Sequence, residues 1–422
     1  MQQIREILPG VMLRCMHSSR FKQSALSIQF LRPMQEDEAA ANALLPAVLL
    51  RVCRAYPDLQ RITQRLDDLY GASVSTLVRR IGDYQTTGLY CGFMEDRFAL
   101  PGDAILEPMI RLVGQLLLEP VMEAGGFSVD FVESEKRNLI STIESERSDK
   151  RAYAAGQLLK VMCKNDSFGI PRLGEIRQVE KIDHVSAYDH YQKILRESPV
   201  EIFYVGAAPA DTVAELLTRE LSRIERDPRP LPIQTPFQNG PGDDVSETQD
   251  IAQGKLNLGF VTPITNRDPR FAAMQVFNAA FGGGMTSKLF MEVREKMSLC
   301  YAIGSGYYGS KGILTVGAGI DTQQRDKAQN AIFAQLEACR QGQVTEEELV
   351  ASKQALLSGL QGVYDSPGAM EGFFSTGAIS GLDRTPEVYA QQIRAVTVAD
   401  VVEAAKTVTF HSAFFLKGAI HE

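Results

Sequence analysis

The feature that most constrains this chain is a stretch at 226–254, RDPRPLPIQTPFQNGPGDDVSETQDIAQG, rich in proline, glycine and polar residues and without helical or strand periodicity. It lies near the midpoint of 422 residues, and ordered patterns resume on both sides of it. Before it, VEIFYVG (200–206) reads as a buried strand followed by a helix over 211–224; after it, KLNLGFV (255–261) reads as another strand. At a typical ~150 residues per domain the chain is long enough for two or three. The expectation is an α+β protein of two similar halves, each an antiparallel sheet packed with helices, with domains at 1–226 and 255–422 and a linker at 227–254.

Within the first half, DLQRITQRLDDL (58–69) is amphipathic, with Asp58 placed to cap it and Gly71 just beyond its end. Strands are predicted over 73–79 and 86–94, joined by a turn at Gly82 and Asp83, and a further helix begins near Asp103. In the second half, 270–281 and 287–296 read as helices, and 299–305 and 312–317 as strands. The order helix, strand, turn, strand therefore recurs, although the residues do not repeat.

Composition narrows the function classes. With 44% hydrophobic and 23% charged residues the chain is that of a folded globular protein. A net charge of −8 is the wrong sign for a phosphate-binding surface, so no nucleic-acid partner is expected. No apolar run approaches the ~20 residues of a spanning helix, and no membrane partner is expected. The start, MQQIREILPG, has no secretory pattern, so a cytoplasmic location is expected. The cysteines, Cys15, Cys53, Cys91, Cys163, Cys300 and Cys339, form no C-x-x-C pair and read as free, mostly buried thiols.

Several motifs lose their functional reading in context. Gly304, Gly306 and Gly309 spell G-x-G-x-x-G, but a strand pattern follows where a dinucleotide site needs a helix, so a hairpin turn is predicted. Gly282, Gly283 and Gly284 precede Thr286 and Ser287 without a following G-K-[ST], which predicts a tight turn with a hydroxyl cap. The histidines are His17, His184, His190, His411 and His421, no two closer than six residues, and neither H-E-x-x-H nor H-x-x-E-H occurs. His184 and His190 are expected to be surface or capping residues. There is no G-x-S-x-G.

Residues 281–305, FGGGMTSKLFMEVREKMSLCYAIGS, place Arg294 near a helix end and Tyr301 at the start of a strand. With RLDDLYGASVS (65–75), FVESEKRNLISTI (131–143), FGIPRLG (168–174) and VEIFYVG in the same order, the chain resembles the insulinase/pitrilysin family of zinc metallopeptidases over nearly its whole length, in the branch similar to mitochondrial processing peptidase and its bacterial relatives. The resemblance implies metallopeptidase-like duplicated domains forming half of a clam-shell.

It also implies a zinc helix, and there the chain departs from the family. The H-x-x-E-H positions fall on Ala43, Leu44, Leu45, Pro46 and Ala47, with proline where the general base belongs. Glu135 matches an acidic residue that accompanies the family's site, but the downstream ligand position is Thr142. No metal is expected on this chain. Arg294 and Tyr301 match, in type and spacing, the family's Arg and Tyr that hold substrate; a guanidinium suits a peptide carbonyl or carboxylate, and a phenol suits an oxyanion. The pattern without the resemblance makes Arg294 a surface residue paired with Glu292 or Glu295, and Tyr301 a half-buried strand residue.

The resemblance thus implies a catalytically incomplete subunit of a heterodimeric zinc peptidase. The zinc would sit on a partner that carries the zinc motif, and Arg294 and Tyr301 would act on its peptide substrate in trans. The alternative is a non-catalytic peptide-binding or scaffold protein, possibly a homodimer.

Overall fold

The computed structural model describes residues 2–238, 240–382 and 384–418; His421 lies outside them. Six strands form the first sheet: β1 (Gln2–Leu8), β2 (Val11–His17), β3 (Gln23–Pro33), β4 (Ser73–Ile81), β5 (Tyr84–Met94) and β6 (Val200–Gly206). Their order is β1-β2-β6-β3-β5-β4, with β2 and β6 parallel and all other neighbours antiparallel. Five strands form the second: β7 (Asp244–Gln249), β8 (Gly254–Val261), β9 (Cys300–Tyr308), β10 (Ile313–Ile320) and β11 (Thr409–Gly418). Here the order is β9-β10-β8-β11-β7, with only β11 and β7 parallel.

Without β1, the two topologies are the same. In each sheet the first strand lies parallel to the last, the last pairs with the second, the second with the fourth, and the fourth with the third, which is an edge. The two halves are therefore duplicated α+β units, as their recurring element order implies. Each sheet is backed by its own apolar core: Leu26, Ile28, Leu89 and Ile202 are fully buried in the first, and Leu256, Leu258, Phe260 and Val316 in the second.

Local chemistry explains the element ends. Asp58 caps the helix Leu59–Asp68 by accepting the Arg61 N–H at 2.7 Å. The helix predicted from 103 starts at Leu106, because the Asp96 carboxylate accepts the N–H groups of Ile105 and Leu106, both at 2.9 Å, and so fixes the first turn there. The hairpin predicted at G-x-G-x-x-G is displaced: Gly304 and Gly306 lie within β9, and the turn follows Tyr308, which pairs with Ile313. Gly312 supplies the left-handed turn residue at φ +68°, where a Cβ would sit 2.2 Å from the Thr262 carbonyl oxygen. The stretch 227–254, predicted as linker, includes β7, whose pairing with β11 its polar sequence does not announce.

Packing divides the chain differently from its order. One compact unit comprises Met1–Glu144, Ile170–Ile233 and Tyr364–Gly381; the other comprises Ser145–Gly169, Gln234–Val363 and Leu382–Glu422. Each half of the chain thus contributes one helical segment to the unit built mainly by the other. The helix Pro367–Ile379 packs on β3 and β6, where its Glu371 is fully buried. One Glu371 oxygen accepts from Ser27 Oγ (2.8 Å), Gln29 Nε2 (2.9 Å) and Arg79 Nη1 (3.0 Å), and the other from Arg79 Nη2 (2.9 Å). The helix Lys150–Met162 packs on β8 and β11, where Ala154 and Leu158 meet Phe414 and Leu416. Tyr153 donates its hydroxyl to the Glu247 carboxylate of β7 at 2.9 Å.

Glu371→Ala removes the acceptor on which all these donors converge. It is expected to destabilise the unit by about 3–5 kcal/mol in denaturant melts, and to speed hydrogen exchange in 367–379 before the rest of the unit. Unchanged exchange there would mean that apolar contacts alone hold the segment.

Candidate functional site

The residues singled out by the resemblance fall in two places, one in each compact unit. The first is the helix Ala39–Leu49, which follows β3 and packs against β5. It contains the positions matched to the zinc motif: Ala43 and Pro46 are buried and Ala47 is half-buried. Pro46 has no N–H, so the carbonyl of Asn42 one turn earlier loses its helical donor. Thr87 of β5 replaces it, donating its hydroxyl to the Asn42 oxygen at 2.6 Å.

The Asn42 side chain, fully buried, is equally committed. Its Nδ2 donates to Gln85 Oε1 and its Oδ1 faces His190 Nε2, each at 2.8 Å. Gln85 Nε2 in turn donates to the carbonyls of Ala39 (3.0 Å) and Arg172 (2.7 Å). Because Asn42 Nδ2 donates to Gln85, Oδ1 is left as the acceptor and His190 Nε2 carries the proton. His190 was expected to be a surface or capping residue; it lies half-buried in this network, and burial lowers its pKa to about 4.

The residues at the zinc positions do not fit a metal. Ala43, Pro46 and Ala47 offer no ligand atom, and the Thr142 hydroxyl donates to the Asn138 carbonyl one turn back, at 2.9 Å. Glu135 is buried and forms an ion pair with Arg51, near the end of the Ala39–Leu49 helix, and accepts from Asn138 Nδ2 at 3.1 Å. Among the described residues no group of three or more His, Cys, Asp or Glu side chains could hold a metal ion. No helix among them is long and apolar enough to cross a membrane.

The second place runs from Arg294 to Tyr301 and departs from regular geometry three times. Leu289–Lys296 is a π-helix, with the Met297 N–H bonded to the Glu292 carbonyl at 3.0 Å. Ser298 adopts φ +52°, a left-handed conformation uncommon outside glycine. The β9–β10 register then slips between Cys300 and Ala302, a bulge that leaves Tyr301 without a cross-strand partner at the start of an edge strand. The outcome is a Tyr301 side chain 75% exposed, not half-buried.

Arg294 is partly exposed, 3.4 Å from Glu295, and its guanidinium lies 4.5 Å from the centroid of the Phe290 ring. Cys300, behind the bulge, is buried; burial lifts its thiol to about 11 although the Arg294 charge pulls it down. All six cysteines are free and buried. The preceding turn is hydroxyl-linked, with Ser287 Oγ donating to the Gly284 carbonyl at 2.6 Å. Strained backbone of this kind concentrates at functional sites, and here it delivers a phenol and a guanidinium from one short segment.

Sequence reasoning missed Phe290, Asn42 and Thr87. Phe290 was legible as the residue four before Arg294 on a helix. Asn42 was legible as the residue four before Pro46, whose carbonyl a proline must orphan. Thr87 carried no signal, because its partner lies on another element.

A model described as the peptidase M16 inactive domain matches residues 181–356. Over 409 residues the chain is 29% identical to a probable inactive metalloprotease, YmfF, of Bacillus subtilis, covering 97% of this chain and 96% of that one. It is 26% identical over 296 residues to the uncharacterized zinc protease Rv2782c of Mycobacterium tuberculosis, covering 69% and 67%. Among solved structures it resembles a conserved protein from Enterococcus faecalis (27% identity, TM-score 0.92, covering 100% and 99%). It also shares the fold of a peptidase M16 inactive domain from Pseudomonas fluorescens (16% identity, TM-score 0.82, covering 100% and 99%).

Two measurements check the network on the Ala39–Leu49 helix. Thr87→Val strands the Asn42 carbonyl and should cost about 1–3 kcal/mol, but much less when combined with Pro46→Ala, whose restored N–H serves the same oxygen. Equal costs in both backgrounds would break the pairing. For His190, the folded pKa lies below the unfolded value near 6.5, so the unfolded chain binds the extra proton and stability falls as pH drops from about 6.5 to about 4, by up to about 3 kcal/mol. A His190→Gln variant should show a correspondingly shallower pH dependence of its melting temperature in that window.

Proposed function

The chain belongs to the M16 peptidase family and lacks that family's zinc motif, and from this premise we propose that it is the non-zinc-binding subunit of a heterodimeric peptidase. The zinc-bearing subunit would be an M16 homologue that retains H-x-x-E-H. This chain would contribute Arg294 and Tyr301 to the peptide held there. The observation that carries the reading is the irregular segment from Arg294 to Tyr301: a π-helix, a left-handed serine and a bulge combine to expose a tyrosine to 75%.

The assignment of roles follows from chemistry. Arg294, always charged, donates charge-assisted hydrogen bonds to a peptide carbonyl or a side-chain carboxylate and so fixes the register of the bound chain. The Tyr301 hydroxyl donates to the oxygen on which charge develops as the scissile carbonyl is attacked, an interaction stronger in the transition state than in the bound substrate. Activation of the attacking water is assigned to the partner, because Pro46 stands where this chain would need a base.

The test is reconstitution with a zinc-motif M16 homologue from the same genome, using a pool of quenched fluorogenic peptides as probe. Neither protein alone is expected to cleave, and the mixture is. In the mixture Tyr301→Phe should lower kcat about a hundredfold, and Arg294→Ala should raise KM about tenfold. Full activity in the double variant would remove both residues from the mechanism. Silence in every mixture, with peptide binding retained by this chain alone, would identify a peptide-binding scaffold instead.

A further inference from the structure

We infer that Phe290 is a positioning residue: its ring is the platform that holds the Arg294 guanidinium in place for peptide binding. The inference rests on the peptide-contact reading of Arg294 and extends it to a residue to which that reading gives no role.

An arginine on a surface helix ordinarily samples many rotamers, and ordering it on binding costs entropy. Here the guanidinium is met from two sides. Glu295 approaches Nη1 to 3.4 Å, a contact between part-exposed groups that water screens. The guanidinium carbon lies over the Phe290 ring, 4.5 Å from its centroid, a cation–π contact that holds the side chain on the ring while leaving N–H groups to donate. The two residues are four apart within the π-helix, so the backbone that carries one also carries the other. Phe290 itself is half-buried, while Leu289 and Val293 on the same segment are fully buried and anchor it to the core. Met291 and Met297, both exposed, lack a flat π face, and neither can replace the ring.

The platform also accounts for the incomplete burial of Phe290. A phenylalanine needed only for packing would be expected among the core residues around Phe277 and Phe281, where stacking is satisfied at 5.5 Å between buried rings. Phe290 instead turns its ring to a cation.

The experiment compares Phe290→Leu, which keeps apolar bulk but removes the π face, with Phe290→Tyr, which keeps it. Two readouts are used: kinetics of the reconstituted pair on the fluorogenic peptide pool, and the Arg294 Nε–H resonance of this chain. Phe290→Leu is expected to raise KM about fivefold with kcat unchanged. It is also expected to shift the Nε–H resonance out of the ring's shielding cone, and Phe290→Tyr should restore both, with melting temperatures confirming that each variant is folded. Wild-type kinetics and an unmoved resonance in Phe290→Leu, while Arg294→Ala is impaired, would overturn the inference and leave the peptide-contact reading standing. Wild-type kinetics in Arg294→Ala would overturn that reading itself, and the inference with it.

Discussion

The buried carboxylate of Glu371 is the interaction on which the architecture of its unit most depends. A fully buried charge is tolerated only where its hydrogen bonds are met, and here Ser27, Gln29 and Arg79 meet them from two strands of one sheet. Ser27 and Gln29 stand two apart on β3 and so share a face, and Arg79 reaches the same carboxylate from β4. The consequence is topological. A helix from late in the chain is held on a sheet built from its beginning, and the compact unit is not a contiguous piece of sequence.

The other unit secures its borrowed helix by different means. Lys150–Met162 approaches its sheet closely because β8 has a glycine at 259, where a Cβ would lie 2.7 Å from Met162 Sδ. Ala154 and Leu158 supply apolar contact, and a polar tie, from Tyr153 to Glu247, lies at the strand that shows no alternating pattern. The duplication is thus one of topology, filled by different side chains on each side.

The helix Ala39–Leu49 is held in place by polar contacts around an internal proline. Proline at 46 removes a backbone donor, and the fold answers that loss through Thr87. Asn42, Gln85 and a neutral His190 complete a polar network with few free valences, so the helix keeps its place while offering no ligand atom at Ala43, Pro46 or Ala47. In the other unit, irregular backbone exposes Tyr301, and Phe290 flanks Arg294.

By itself the sequence determined the α+β class, the recurrence of helix and strand pair in the two halves, and the absence of H-x-x-E-H, properties that reside in local periodicity and in residue types at short spacing, which one chain displays without folding. Arg294 and Tyr301 stood out only through the family resemblance. The sequence also contained the proline that orphans a carbonyl, since the effect reaches only four residues. Tertiary structure alone decided which helix covers which sheet, that polar residues 244–249 form a strand, that Tyr301 stands on a bulge, and that His190 is half-buried beside Asn42. Each of these depends on groups far apart in sequence meeting in space, where pairing and desolvation, rather than local pattern, set the free energy.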